Sequence, residues 1–126
     1  MLQKVTVLFA LLFSSIVIAK PVPDISVKDL DNLMKSKKVV VFDANGTKTR
    51  TNMGVIPGAR LLSSYDNYSL SELPKNKAQK IVFYCANTMC SAAPKAAAKA
   101  IKAGYTNVAH LSVGIAGWNK EFKSTK

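Results

Sequence analysis

The sequence is poor in the residues that build most catalytic and metal sites. Its 126 residues contain one histidine, two cysteines and seven acidic residues. The one histidine, His110, stands in no motif that would pair it with a cysteine as in a cysteine protease. Only two arginines are present, and no basic cluster is interleaved with aromatic residues, so the sequence does not indicate a nucleic-acid-binding protein.

One long apolar run is present, and it lies at the N-terminus. The segment begins with the short, positively charged Met1–Lys4, continues with the largely apolar residues 5–18 and ends at Ala19. This is the layout of a secretory signal peptide, and the apolar run is shorter than the roughly 20 residues of a membrane-spanning helix. We therefore predict a signal peptide at 1–19 and an exported single domain at 20–126. The expected location is the periplasm, with a secreted protein or one held by an uncleaved signal as alternatives. No membrane contact is expected after cleavage.

Negative charge is scarce: 7 acidic residues stand against 18 basic ones, which gives a formal net charge of +11 at pH 7. Most of the basic residues are lysines spread along the chain, a pattern typical of a solvated surface. Their combined field also attracts small anions. The charge therefore favours a small anionic partner, and no nucleic-acid partner is predicted.

Beyond the N-terminal segment, apolar runs that fit buried strands recur along the chain. Continuous runs predict strands at 39–42 and 81–84, and their lack of alternation is typical of strands covered on both faces. Shorter strands are predicted at 59–62 and 108–111.

Helical patterns separate these strands. A first helix is predicted after the capping residue Ser26, a second along the alanine- and lysine-rich run that stops at Gly104, and a final one that carries Trp118. Residues 69–73 predict one helical turn, whereas 45–58 is polar and predicts a loop. Strands that alternate with helices indicate an α/β fold with a mostly parallel sheet.

The two cysteines, Cys85 and Cys90, lie in one short stretch. The cysteines of a disulfide scaffold would be spread along the chain to close long loops, so this pair indicates thiol chemistry rather than architecture. Cys85 directly follows the predicted strand 81–84, and parallel sheets bind ligands beyond the carboxyl ends of their strands. Asp43 follows the other long strand at the same edge, where we predict a structural acid near the site rather than a base.

A short loop and a helix start follow Cys85, and in such a setting free backbone N–H groups and the helix dipole stabilise an anion. Sites of this kind lower the pKa of a cysteine from about 8.5 into the range of roughly 3.5–7.5. We therefore predict Cys85 as a nucleophile, with an inert buried thiol as the alternative. The backbone amides predicted to bind the substrate belong to the six loop residues Ala86, Asn87, Thr88, Met89, Cys90 and Ser91.

Three roles stay open for Cys90. It could be a resolving thiol that forms a reversible disulfide with Cys85, a loop residue without chemistry, or a metal ligand. Cys85, Met89 and Cys90 are soft ligands that suit Cu(I). Their spacing is not that of a C-x-x-C metal knuckle, and no metal site is predicted.

Four motifs in consistent order resemble those of rhodanese-like domains. Residues 39–43 and 54–59 resemble that family's strand ending in aspartate and its G-H-I-P-G-A element. Residues 81–85 resemble its strand and nucleophile, and 104–118 resemble its G-[FY]-x-N-V-x-x-L-x-G-G-x-x-x-W ending. The resemblance implies a three-layer α/β sandwich with a mostly parallel, five-stranded sheet flanked by helices.

The resemblance also implies a sulfurtransferase that uses no cofactor. Cys85 would take a sulfane sulfur from thiosulfate or polysulfide, become a persulfide, and pass the sulfur to a thiophilic acceptor such as a thiol or a cyanide-like anion. This sequence departs from the family at Asn45 and Val55, which stand where the family has arginine and histidine, and at Cys90, which replaces the arginine of the loop. The loss of that loop cation favours polysulfide or a protein-bound persulfide over thiosulfate as the donor. The alternatives are a periplasmic thiol redox or copper-binding module that uses Cys85 and Cys90, and an inactive rhodanese-like binding domain.

Overall fold

The computed structural model describes residues 3–7, 10–12 and 21–122. The predicted signal peptide at 1–19 therefore lies largely outside the described residues. No helix in the described ranges is long and apolar enough to cross a membrane. The secondary structure of the domain comprises helix α1 (Val27–Lys35), strand β1 (Val40–Asp43), helix α2 (Thr47–Met53), strand β2 (Arg60–Leu61), a 3₁₀ turn (Leu70–Glu72), strand β3 (Ile81–Tyr84), helix α3 (Ala92–Lys102), strand β4 (Val108–Leu111) and helix α4 (Gly114–Glu121).

The strands form one parallel sheet in the order β2-β1-β3-β4. The prediction of five strands is wrong, because the described part of the chain contains four. Before α1, the residues that the structure describes add a single parallel bridge, between Asp24 and His110 at the β4 edge. Pro21 and Pro23 have no N–H to donate, so this segment cannot extend the bridge into a ladder.

Both faces of the sheet are covered, as the continuous apolar runs predict. On one face, Phe83 and Cys85 pack into a cluster with the buried alanines of α3. On the other face, Val82 and Tyr84 pack with apolar side chains of α1 and α4. Successive residues of a strand point to opposite faces, so the alternation along β3 divides the core into two halves. The result is the predicted α/β architecture of a parallel sheet flanked by helices.

Helix α2 lies in the segment that the sequence predicts as a loop. Its seven residues are polar apart from Met53, none of them is buried, and its cap residue Gly46 offers no side-chain hydrogen bond. A helix with no apolar stripe gives no periodic signal. It is held by tertiary contacts of Arg50, described below.

Candidate active site

Cys85 is the first residue after β3 and lies at the carboxyl edge of the sheet. Its side chain is 3% exposed and packs against α3. The backbone amide of Ala93, in the first turn of α3, donates a hydrogen bond to Cys85 Sγ at 3.4 Å. Helix α3 is 11 residues long, and its positive N-terminal end faces this sulfur. The site therefore favours negative charge on Cys85 Sγ, which is the property that a nucleophilic thiolate needs.

Cys90 is joined to Cys85 by a disulfide bond. The two Cα atoms are 6.3 Å apart, inside the range of roughly 4.4–6.8 Å in which a disulfide forms. Cys90 is half-buried and packs against the same apolar cluster that contains Cys85. The five-residue separation is thus bridged by a curled loop that brings the two sulfur atoms together.

The loop amides are arranged differently from the predicted cradle. The side-chain oxygen of Asn87 accepts a hydrogen bond from the amide of Met89 at 3.0 Å, and its backbone carbonyl accepts one from the amide of Cys90 at 3.1 Å. Two of the predicted substrate-binding amides are therefore engaged within the loop. The amide that does reach the sulfur belongs to Ala93, outside the predicted set.

The other predicted loop residues lie at the surface. Asn87, Thr88, Met89 and Ser91 are exposed, and Met89 is the most open of them at 90%. Ala86 is half-buried. The loop therefore turns most of its side chains towards solvent and keeps Cys85 beneath it.

Backbone hydrogen bonds from helix α4 hold the start of the loop in place. The amides of Ile115 and Ala116 donate to the carbonyls of Cys85 and Ala86, each at 2.9 Å. Gly114 makes this approach possible: its φ is +60°, and a Cβ there would lie 2.6 Å from the Cys85 carbonyl oxygen and from the Ala86 carbonyl carbon. The backbone at Cys85 is therefore fixed by a contact that only glycine permits.

We expect Gly114→Ala to lower the free energy of unfolding by about 2–4 kcal/mol, because it combines a left-handed backbone with steric overlap. Gly54 has a similar φ of +83° but open space around it, so Gly54→Ala should cost only about 1–2 kcal/mol. Gly46 has neither constraint, and Gly46→Ala at the N-cap of α2 should cost no more than about 1 kcal/mol. Urea unfolding of the three variants measures these changes in the free energy of unfolding. Equal losses at Gly114 and Gly54 would show that the close approach to Cys85 contributes nothing.

Asp43 lies at the same edge of the sheet and is fully buried. Its carboxylate accepts hydrogen bonds from the Asn45 amide at 2.7 Å, from the Tyr84 hydroxyl at 2.7 Å and from Arg50 Nε at 3.2 Å. Arg50 Nη2 also donates to the carbonyls of Asp43 and Leu62, each at 3.0 Å. The contacts of Asp43 and Arg50 therefore connect α2, the end of β1 and the residue after β2. The hydrogen bonds of the Asp43 carboxylate go to these neighbours and not to Cys85.

Sequence reasoning missed Arg50, although one signal pointed to it. The family's arginine two residues after the strand aspartate is replaced here by Asn45, which left Asp43 without a cation nearby in sequence. Arg50, one of only two arginines, supplies that cation from α2. Asn45 itself is buried, and its side-chain Nδ2 has no hydrogen-bond partner within the described residues.

Two buried tyrosines have raised pKa values. Burial, reinforced by the hydrogen bond to Asp43, raises the pKa of Tyr84 well above its ordinary value of 10.0. Burial, together with the charges of Tyr105 and Glu72, raises the pKa of Tyr68 to about 12. Both hydroxyls therefore stay protonated in the folded protein at a pH where an exposed tyrosine ionises.

The raised pKa values of Tyr68 and Tyr84 predict a loss of stability at alkaline pH. Above about pH 10 the unfolded chain releases phenolic protons that the folded protein retains, so the free energy of unfolding falls as pH rises. Each of the two tyrosines adds up to about 1.4 kcal/mol per pH unit to this slope. Urea unfolding between about pH 9 and about pH 11 should show a shallower slope for Tyr84→Phe than for the unchanged protein. An equal slope for Tyr84→Phe and for the unchanged protein would contradict this prediction.

No group of three or more histidine, cysteine, aspartate or glutamate side chains within the described ranges could hold a metal ion. Two cavities, of about 630 and about 520 Å³, are lined by residues other than Cys85. The smaller one borders the loop at Asn87 and Thr88. The chemistry available at this edge of the sheet therefore rests on the two sulfur atoms and the amide of Ala93.

Comparisons with known proteins agree with this fold. The family model of the rhodanese-like domain matches residues 26–121. A protein from Bacillus halodurans shares 26% identity with a TM-score of 0.67, over 79% of this chain and 72% of that one. A Rhodopseudomonas palustris protein described as a possible tyrosine phosphatase shares 26% identity with a TM-score of 0.64, over 79% of this chain and 81% of that one.

A human single-domain sulfurtransferase has the same fold, with 21% identity and a TM-score of 0.64, over 79% of this chain and 96% of that one. No protein of curated function matches the sequence. The family match spans nearly the whole described domain, and the structure places a cysteine at the carboxyl edge of a parallel sheet flanked by helices. The chain belongs to the rhodanese-like domain family.

Proposed function

We propose that the protein is a sulfurtransferase that carries a sulfane sulfur as a persulfide on Cys85. The observation that carries this proposal is the hydrogen bond from the Ala93 amide to Cys85 Sγ at the start of α3. A thiolate in this position needs no side-chain base, because the amide and the helix dipole favour its negative charge. Membership of the rhodanese-like family, whose members include sulfurtransferases, supports the assignment.

The reaction requires two nucleophilic displacements at sulfur. The Cys85 thiolate attacks the outer sulfur of the donor, a new S–S bond forms, and the donor's own S–S bond breaks as its remainder leaves with the electron pair. The product is a persulfide anion on Cys85. An acceptor thiolate or cyanide-like anion then attacks the outer sulfur, and the Cys85 thiolate leaves. The Ala93 amide stabilises Cys85 Sγ whenever it is the attacking or the departing thiolate.

Polysulfide or a persulfide is the donor that the loop composition favours. The residue five positions after Cys85 is Cys90, so the loop has no cation there to bind the sulfonate end of thiosulfate. The net charge of +11 still attracts small anions over a longer range. We propose a small anionic donor and a thiol acceptor, encountered outside the cytoplasm by a protein whose residues 1–19 direct its export.

Mass spectrometry tests this function. The protein is first reduced, because a Cys85–Cys90 disulfide leaves no thiolate to attack a donor. The reductant is then removed and polysulfide is added. In Cys90→Ser, where no second thiol can react with the persulfide, we expect a gain of one sulfur atom on the peptide that contains Cys85. A Cys90→Ser protein that gains no sulfur from polysulfide, from an organic persulfide or from thiosulfate would contradict the proposal.

A thiol redox module is the second candidate, and the Cys85–Cys90 disulfide favours it. Such a module would exchange electrons with other thiols and carry no sulfur. The same mass measurement on Cys90→Ser separates the two, because a redox module gains no sulfur from the donor, whereas the sulfurtransferase keeps the persulfide on Cys85.

A further inference from the structure

We infer that Cys90 resolves the Cys85 persulfide from within the loop and expels the carried sulfur as sulfide. The site would then reduce sulfane sulfur, in addition to transferring it to an external acceptor. This inference rests on the proposed function, since it requires the persulfide on Cys85.

The geometry of the disulfide selects which sulfur Cys90 attacks. A persulfide on Cys85 has two sulfur atoms: the inner one is Cys85 Sγ, and the outer one is the carried sulfur. The structure places Cys90 Sγ in bonding contact with Cys85 Sγ, the inner atom. Attack on the inner sulfur expels the outer one as sulfide, whereas attack on the outer sulfur would move it onto Cys90. The bond in the structure is the one that the first of these reactions would form.

The loop holds Cys90 in this position. Its amide donates to the Asn87 carbonyl at 3.1 Å, and the adjacent amide of Met89 donates to the Asn87 side chain at 3.0 Å. The Cys90 side chain packs against the apolar cluster that contains Cys85, while its neighbour Met89 is 90% exposed. The turn at Asn87 therefore directs the second sulfur inward, towards the first.

The step balances in atoms and electrons. The Cys90 thiolate forms a bond to Cys85 Sγ, the bond between Cys85 Sγ and the outer sulfur breaks, and the outer sulfur departs with the electron pair. It takes up the proton released by the Cys90 thiol and leaves as hydrogen sulfide anion. Two cysteine thiols are oxidised to one disulfide, and one sulfane sulfur is reduced to sulfide.

A dithiol reductant would return the site to its starting state. Cys90 is half-buried, whereas Cys85 is only 3% exposed. An incoming thiolate therefore reaches the sulfur of Cys90 and not that of Cys85. The Cys85 thiolate then leaves, and the hydrogen bond from the Ala93 amide makes it the better leaving group. The second thiol of the reductant displaces Cys90 from the mixed disulfide, which completes the cycle.

A single-turnover experiment tests the inference. The reduced protein, freed of reductant, is mixed anaerobically with one equivalent of an aryl thiosulfonate. This donor leaves a sulfinate when it gives up its sulfur, so any sulfide must come from the persulfide. We expect about one sulfide per unchanged protein and a protein mass that corresponds to the disulfide. Cys90→Ser should instead accumulate the persulfide and release less than about a tenth of that sulfide.

A matched control keeps the number of thiols at two. In the double variant Cys90→Ser with Ile101→Cys, the second thiol stands on the exposed side of α3, away from the loop. We expect it to accumulate the persulfide as Cys90→Ser alone does. Sulfide release equal to that of the unchanged protein, in either variant, would overturn the inference while the persulfide function stands. No sulfide from the unchanged protein, together with no sulfur gained by Cys90→Ser, would overturn the proposed function as well.

Discussion

Cys85→Ser is expected to abolish sulfur transfer, with a loss of about 10³-fold or more in the rate of product formation from a sulfane donor. Serine preserves the size of the side chain and its place at the end of β3, but a hydroxyl does not ionise near neutral pH and forms no stable persulfide. The loss therefore reports on the sulfur atom and not on the fold. The measurement is the rate of sulfur transfer to an added thiol, together with the mass of the protein after exposure to the donor.

Comparison with Cys90→Ser makes this experiment specific. That variant retains Cys85 and the Ala93 amide that contacts it, so it should still gain one sulfur atom. The two cysteine variants therefore differ in mass after identical treatment. Sulfur carried by Cys85→Ser, or absent from both variants, would contradict the assignment of Cys85 as the nucleophile.

Arg50→Ala is expected to lower the free energy of unfolding by about 3–5 kcal/mol. Asp43 is fully buried, and Arg50 is the cation that faces its carboxylate. Removing Arg50 leaves a buried negative charge, and it also removes the donor to the carbonyls of Asp43 and Leu62. A domain is stabilised by only about 5–15 kcal/mol in total, so the variant should be close to unfolding.

Urea unfolding near neutral pH measures the loss, and two further variants interpret it. Arg60→Ala removes the other arginine, which is exposed on β2, and should change stability by less than about 0.5 kcal/mol. Asp43→Asn in the Arg50→Ala background removes the unpaired charge and should recover part of the loss. A loss below about 1 kcal/mol in Arg50→Ala, or no recovery in the double variant, would show that the buried pair does not hold this edge of the sheet.

The long strands and the position of Cys85 could be predicted because they follow from local patterns. Continuous β-branched and aromatic runs at 39–42 and 81–84 fit strands covered on both faces, and the structure has β1 and β3 there. Helix α1 begins at Val27, directly after the predicted cap residue Ser26, whose side chain accepts a hydrogen bond from the Asp29 amide. Helix α3 also follows the predicted course, and Gly104 adopts a φ of +99° just beyond its end.

Helix α2 escapes sequence-based prediction because it is held by contacts distant in sequence. It has no buried residue and forms where Arg50 binds Asp43 and the Leu62 carbonyl, so it has no signal of its own in hydrophobic period. The fifth strand has a different origin, since the family resemblance implies it and no fifth apolar run beyond the N-terminal segment does. Among the described residues, the segment before α1 makes a single bridge at Asp24, because Pro21 and Pro23 cannot donate to a ladder.

The same distinction between local sequence pattern and tertiary contact applies to the candidate site. Short-range pattern and spacing are enough to show that two thiols lie close together and that the first of them, Cys85, follows a buried strand. Tertiary packing is needed to bring the Ala93 amide to the sulfur and to curl Cys90 back onto Cys85. Which amide meets the sulfur depends on how α3 docks against β3, and the path of the loop depends on its hydrogen bonds to Asn87 and on the support from α4. Such contacts are fixed by packing in three dimensions, and the order of residues along the chain does not reveal them.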